Sequence, residues 1–288
     1  MRDPTHSPAS VVVGLDGTHS ALDAALWAVD EAVSRDIPLR LVYAIDPDHP
    51  SPELGDAAGD LATAETAVRC AVTAVESTAK PVKIEMEILR ARPARALIDA
   101  SASAAMLCLG DTGPEQSAQG RIGSTAAEVT TSAHCPVAIV RNHDARPRRG
   151  NWVVAEIEGS PVGNRILQHA SEEARLRETP LRVLTSWQTR FTDVYNNRPV
   201  AEGNRSAEAQ LDRQLAKWKK RYPDLDVEPI VVHGNTLNYL TEHADSVQLL
   251  VVGRERARGI RDLVGPPGYA PLHEAGCSVL ICQPHAVL

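Results

Sequence analysis

A chain of 288 residues, 43% of them hydrophobic, has apolar material for two cores, at about 150 residues per domain. Only 3% of the residues are aromatic, so those cores must be Ala, Val, Leu and Ile, which suits layered α/β packing better than a sandwich. A net charge of −7 argues against nucleic acid or an anionic membrane as the main partner.

The first residues, Met1–Pro8, lack an apolar signal core, and no run approaches membrane-spanning length; a cytoplasmic protein is expected. Ser10–Leu15 reads as a buried strand. Ser20–Ser34 reads as a helix with Leu22, Ala25, Leu26, Val29 and Val33 at helical spacing, and Leu39–Ile45 as a second strand. A loop marked by proline and glycine, Asp46–Asp60, precedes a helix from about Leu61 to Lys80 and is long enough to close over a ligand. Val82–Ile88 alternates strictly between apolar and polar residues, the pattern of an edge strand with one wet face. A helix at Ala94–Ser103, a strand ending at Gly110, a helix from Ser124 and a strand at Val137–Val140 complete the first half.

The polar, basic run Arg141–Gly150 ends in chain breakers and reads as a solvated tether, with the linker placed at 143–150 between domains 1–142 and 151–288. Beyond it the chain repeats itself at an offset of 142 residues. Asp16-Gly17-Thr18 meets Glu158-Gly159-Ser160, Asp30-Glu31-Ala32 meets Glu172-Glu173-Ala174, and Pro38-Leu39-Arg40 meets Pro180-Leu181-Arg182. The register shifts by one where Leu107–Gly110 meets Leu250–Gly253, and returns where Cys135–Val140 faces Cys277–Cys282. In the second half the third strand, at Val227–Ile230, contains Pro229, again an edge signal. Each half is therefore expected to be a doubly wound, Rossmann-like, five-stranded parallel sheet of strand order 3-2-1-4-5. The five cysteines are scattered through apolar runs and read as buried thiols, with no metal-binding spacing.

In such sheets ligands sit beyond the carboxyl ends of the strands, where the winding reverses. That crevice would join two features noticed separately. One is the stretch from Gly110 to Thr125: strand, glycine loop, helix start. Glycines at 110, 113 and 123 would let an anion approach backbone N–H groups and allow positive φ, and Ser124 would sit at the positive end of a helix dipole. The other is Asp16, whose carboxylate can accept from a ribose or an adenine amine, or equally can cap the helix that follows. The second strand ends beside them at Tyr43-Ala44-Ile45.

Val11–Thr18, the pattern G-x2-G-x9-G-S/T at 110–124 and Cys135-Pro136-Val137 resemble the universal stress protein family in its tandem form. The resemblance implies an ATP-binding α/β fold, ATP with or without Mg2+, pairing of domains along the last strand as a homodimer or an intramolecular pseudo-dimer, and a stress-linked cytoplasmic role. By position it implies Asp16 on adenine or ribose, Gly14 and Leu15 lining the pocket, and Ala44 meeting adenine through its backbone. Leu109, Gly110 and Gly113 would flank ribose and the α-phosphate, and Gly123, Ser124 and Thr125 would hold the outer phosphates. Arg121 is a further candidate for a phosphate, though a loop arginine is also ordinary surface.

The second half departs from this pattern. Glu156 replaces Gly14, Glu158 replaces Asp16, Arg256 stands in place of Gly113, and Pro266-Pro267 replaces Ser124-Thr125. Proline offers no N–H to a phosphate, so weak or absent nucleotide binding is expected there. No Walker lysine follows the first-half glycines, and no evident carboxylate, glutamine or histidine is placed to orient an attacking water. The expected function is an ATP-holding sensor or switch, with at most slow hydrolysis and no catalytic residue. An ATP-splitting or adenylate-forming enzyme, and a stress scaffold that needs no nucleotide, stay open.

Overall fold

The computed structural model describes residues 9–48, 57–111, 123–141, 151–157, 163–187, 197–254 and 276–283. These fall into two compact units, one containing described residues up to Arg141 and one those from Asn151 onward.

The first unit runs β1 (Ser10–Leu15), α1 (His19–Arg35), β2 (Leu39–Ile45), α2 (Ala57–Ser77), β3 (Ile84–Arg90), α3 (Pro93–Ser101), β4 (Ala104–Gly110), α4 (Ser124–Ser132) and β5 (Val137–Val140). Its strands are parallel in the order β3-β2-β1-β4-β5, as the sequence patterns predict. Val11, Val12 and Val13 are fully buried, which is why β1 shows no alternation: both its faces are covered. Right-handed crossovers put α1 and α2 on one face and α3 and α4 on the other, and the two helices of each pair touch.

Helix α1 buries Ala25 and Val29 as expected, but its inward stripe is rotated from the one its leucines suggest. Ala21, Ala24, Ala25, Ala28 and Ala32 are buried, while Leu26 is 36% exposed. A stripe of alanines brings the helix axis close to the sheet, and this close approach shapes the candidate site below. Thr18 caps the helix by accepting from the Ala21 N–H at 3.2 Å, and Asp36 ends it at φ 52°. Helix α2 begins at Ala57, so the loop after β2 is a turn shorter than expected; its residues 49–56 lie outside the described ones. Strand β3 starts and ends two residues later than its alternation suggests, because Ile88, Leu89 and Arg90 pair with Tyr43, Ala44 and Ile45.

The second unit runs β6 (Trp152–Glu156), α5 (Gly163–Leu176), β7 (Leu181–Trp187), α6 (Asn197–Arg221), β8 (Val227–His233), α7 (Thr236–Glu242), β9 (Val247–Gly253) and β10 (Ser278–Cys282). Its parallel order, β10-β9-β6-β7-β8, repeats that of the first unit, with the proline-bearing β8 at an edge. The repeat extends to ion pairs. Glu31–Arg35 in α1 recurs as Glu173–Arg177 in α5, each with its carboxylate fully buried. Arg40–Glu87 between β2 and β3 recurs as Arg182–Glu228 between β7 and β8.

Of the five cysteines Cys70 alone is exposed, and burial pushes the Cys135 thiol up to about 12. Burial, aided by the Glu173 carboxylate, also raises Cys282 above the ordinary thiol range. Iodoacetamide at pH 8 is expected to modify Cys70 alone in the native chain and all five thiols after denaturation, counted by intact mass. Because the unfolded chain ionises these thiols near 9 and the fold keeps Cys135 protonated to about 12, stability should decline as pH rises above about 9.

Candidate functional site

The winding of the first unit reverses at β1, which pairs with β2 on one side and β4 on the other. The carboxyl ends of those strands carry most of the residues singled out in the sequence. Leu15 ends β1 buried, opposite Tyr43, and Ala44 lies half-buried one residue further along β2. Asp16 follows β1 and is exposed. Its Oδ1 accepts from the Thr18 N–H at 2.9 Å and the Thr18 hydroxyl at 2.6 Å, so one carboxylate oxygen shapes the turn into α1.

The glycines have more specific reasons than access for an anion. A Cβ on Gly110 would lie 2.4 Å from Ser20 Oγ, 2.6 Å from its carbonyl carbon and 2.8 Å from its carbonyl oxygen. The atom missing from Gly110 is missing because the first turn of α1 occupies its place. A Cβ on Gly14 would meet Leu109 Cδ2 at 2.6 Å and Leu97 Cδ1 at 3.0 Å, so Gly14 makes room for the α3 side of the core. Neither Gly110 nor Gly123 has positive φ; at Gly123 φ is −57°. Gly113 and Arg121 lie outside the described residues.

Gly123 is the N-cap of α4, with exposed Ser124 and half-buried Thr125 opening the helix. A glycine cap brings no side-chain oxygen, and α4 has no side-chain cap hydrogen bond, in contrast to the capped α1. The first-turn N–H groups of α4 are thus presented without a protein oxygen from the cap, at the positive end of the helix. The Gly123 N–H itself donates to the Asp111 carbonyl at 3.2 Å, closing the base of the glycine loop against the end of β4.

The side chains of four residues in this region have roles that the sequence does not show. Tyr43 is half-buried, and its phenol is pushed above its ordinary range by burial, then by the charges of Asp16 and Asp60. The Ser20 hydroxyl donates to Asp111 Oδ1 at 2.9 Å and accepts the Asp111 N–H at 3.0 Å. Arg141, which opens the basic run read as a solvated tether, is instead 2% exposed, with Nε 3.4 Å from Asp111 Oδ2.

The corresponding crevice of the second unit has different chemistry. Glu156 ends β6 where Gly14 stands in the first unit; it is 6% exposed, and its Oε1 accepts from the Thr236 hydroxyl at 2.6 Å. Arg254 follows Gly253 where Asp111 follows Gly110. Glu158, Arg256 and Pro266-Pro267 lie outside the described residues.

Comparison with protein families matches the Universal stress protein family twice, at residues 9–141 and 153–283. One universal stress protein of Mycobacterium tuberculosis is 47% identical over 279 residues, covering 96% of this chain and 97% of its own. Another from the same organism is 40% identical over 275 residues, covering 95% and 96%. Among solved structures, a universal stress protein from Archaeoglobus fulgidus DSM 4304 superposes with a TM-score of 0.66 at 13% identity, covering 96% of this chain and 97% of its own, a likeness of fold.

Proposed function

The chain belongs to the universal stress protein family, and we propose that its first unit holds ATP as a sensor or switch in a cytoplasmic stress response, with little or no turnover. The start of α4 carries this reading. A helix N-terminus with a glycine cap, tied by its backbone to the end of β4 and set beside the reversal of a doubly wound sheet, suits a phosphate. Asp16 would meet the ribose or adenine and Ala44 the adenine edge, with Gly14, Leu15, Leu109 and Gly110 forming the floor. Gly123, Ser124 and Thr125 would take the outer phosphates, joined by Gly113 and Arg121. Any Mg2+ would arrive on the triphosphate.

The second unit is proposed to bind nucleotide weakly or not at all and to complete a pseudo-dimer. Its Glu156, buried and hydrogen-bonded to Thr236, fills the place that Gly14 leaves open in the first unit. The division into domains 1–142 and 151–288 joined by 143–150 belongs to the same proposal.

Heat-denaturing the purified chain and identifying released nucleotide by chromatography tests the reading. One equivalent of ATP per chain is expected from the wild type, and a loss of affinity of about tenfold or more from Gly123→Val. The φ of −57° at Gly123 accepts valine without backbone strain, so the variant should fold, at a cost of about 1 kcal/mol for the poorer cap. No ATP in either protein, even after incubation with ATP, would favour a nucleotide-independent scaffold. Turnover well above background with a second substrate would favour an enzyme, and two tight equivalents per chain would overturn the assignment of the second unit.

A further inference from the structure

A charge pair sits at the base of the glycine loop, and nucleotide binding as described above gives it no task. Asp111 follows Gly110 at the end of β4, and Arg141 follows Val140 at the end of β5, with Gly110 and Val140 opposite each other in the ladder. Arg141 Nε lies 3.4 Å from Asp111 Oδ2, and the two side chains are 2% and 15% exposed. The other carboxylate oxygen accepts the Ser20 hydroxyl, and the Asp111 N–H returns to the same hydroxyl. Through its carbonyl, Asp111 also holds the N–H of Gly123. The carboxylate is therefore anchored toward α1 and β5, while the backbone carbonyl of the same residue holds the start of α4.

A carboxylate fixed so close to a phosphate cradle repels a polyphosphate, and a guanidinium in the same place attracts one. Because both groups are mostly shielded from water, salt screens their fields poorly. The second unit lacks this pair: Arg254 stands in place of Asp111, and Gln283, 6% exposed, in place of Arg141.

We propose that Asp111 and Arg141 form a charge-balancing pair, each cancelling the other's effect on the first unit's preference for ATP over adenosine. Ser20 is the positioning residue that holds the carboxylate in the balance. The inference rests on the nucleotide reading above and deepens it: each member of the pair offsets the other's effect on the preference for phosphate charge.

Calorimetric Kd values for ATP and for adenosine, measured on the full chain, test it. Asp111→Asn leaves an unbalanced cation and should raise the preference for ATP about fivefold; Arg141→Gln leaves an unbalanced anion and should lower it about fivefold. The double variant should return the preference to within about twofold of the wild type. A merely structural pair predicts lower melting temperatures with no change in preference, or changes of one sign in both single variants, and either result overturns the proposal. Should Arg141→Gln not fold, the sign of the shift in Asp111→Asn decides alone. If the wild type binds neither ligand, the nucleotide reading falls and this inference with it; if it binds both and the preference does not move, only this inference falls.

Discussion

Gly110→Ala is expected to destabilise the first unit by about 3 kcal/mol and to abolish retention of ATP, although it adds a single methyl group. That methyl would sit 2.6 Å and 2.8 Å from main-chain atoms of Ser20, and main-chain atoms in the first turn of a helix cannot swing aside as the end of a side chain can. Helix α1 would have to lift from the sheet, against a buried stripe of alanines that brings it close. Lifting it would also separate Ser20 from Asp111 and loosen the Asp111–Gly123 bond that closes the loop. The contrast is Gly14→Ala. Its added methyl would meet only the side-chain ends of Leu109 and Leu97, which can adjust by rotamer, so a cost of about 1 kcal/mol is expected. Urea denaturation of the two variants checks the order, and equal costs would show that α1 yields more easily than its packing implies.

Arg177→Ala should cost the second unit about 3 kcal/mol. The change leaves the Glu173 carboxylate, fully buried in α5, without its guanidinium one turn away. Replacing both partners by apolar residues, Glu173→Leu with Arg177→Met, should recover most of the loss, since the ion pair itself contributes little beyond offsetting its own desolvation. In the first unit Arg35→Ala should cost less, because Arg35 is 23% exposed against 12% for Arg177, and water can better replace it. Tryptophan fluorescence separates the effects, because Trp152, Trp187 and Trp218 belong to the second unit and Trp27 to the first. Equal losses from the single and double changes in α5 would mean that packing, not charge, holds Arg177 in place.

The fold was largely legible in the sequence because its strands are covered on both faces. Continuous apolar runs such as Val11–Val13 and Val137–Val140 admit little other reading, and the repeat allowed each half to check the other. The stripe of α1 was not legible, because alanine is read as weakly apolar while at a close helix–sheet contact it is the residue that fits. In the candidate site the glycine pattern stood out, but the neighbours that require the glycines did not. Ser20 and Asp111 are 91 residues apart in sequence, and nothing local marks them as partners. Arg141 belongs in sequence to the basic run that follows it, whereas its side chain turns inward to Asp111. Composition describes a run as a whole, while burial is decided residue by residue.

The edge strands β3 and β8 carry a consequence beyond geometry. An open strand edge is a template on which another unfolding chain can add its own strand, and heat or oxidation fills a cell with such chains. Strand β8 breaks the template with Pro229, which has no N–H to give, and β3 surrounds exposed Met86 with Glu85 and Glu87. Both edges thereby resist the strand of another chain, the one by a missing donor and the other by flanking charge.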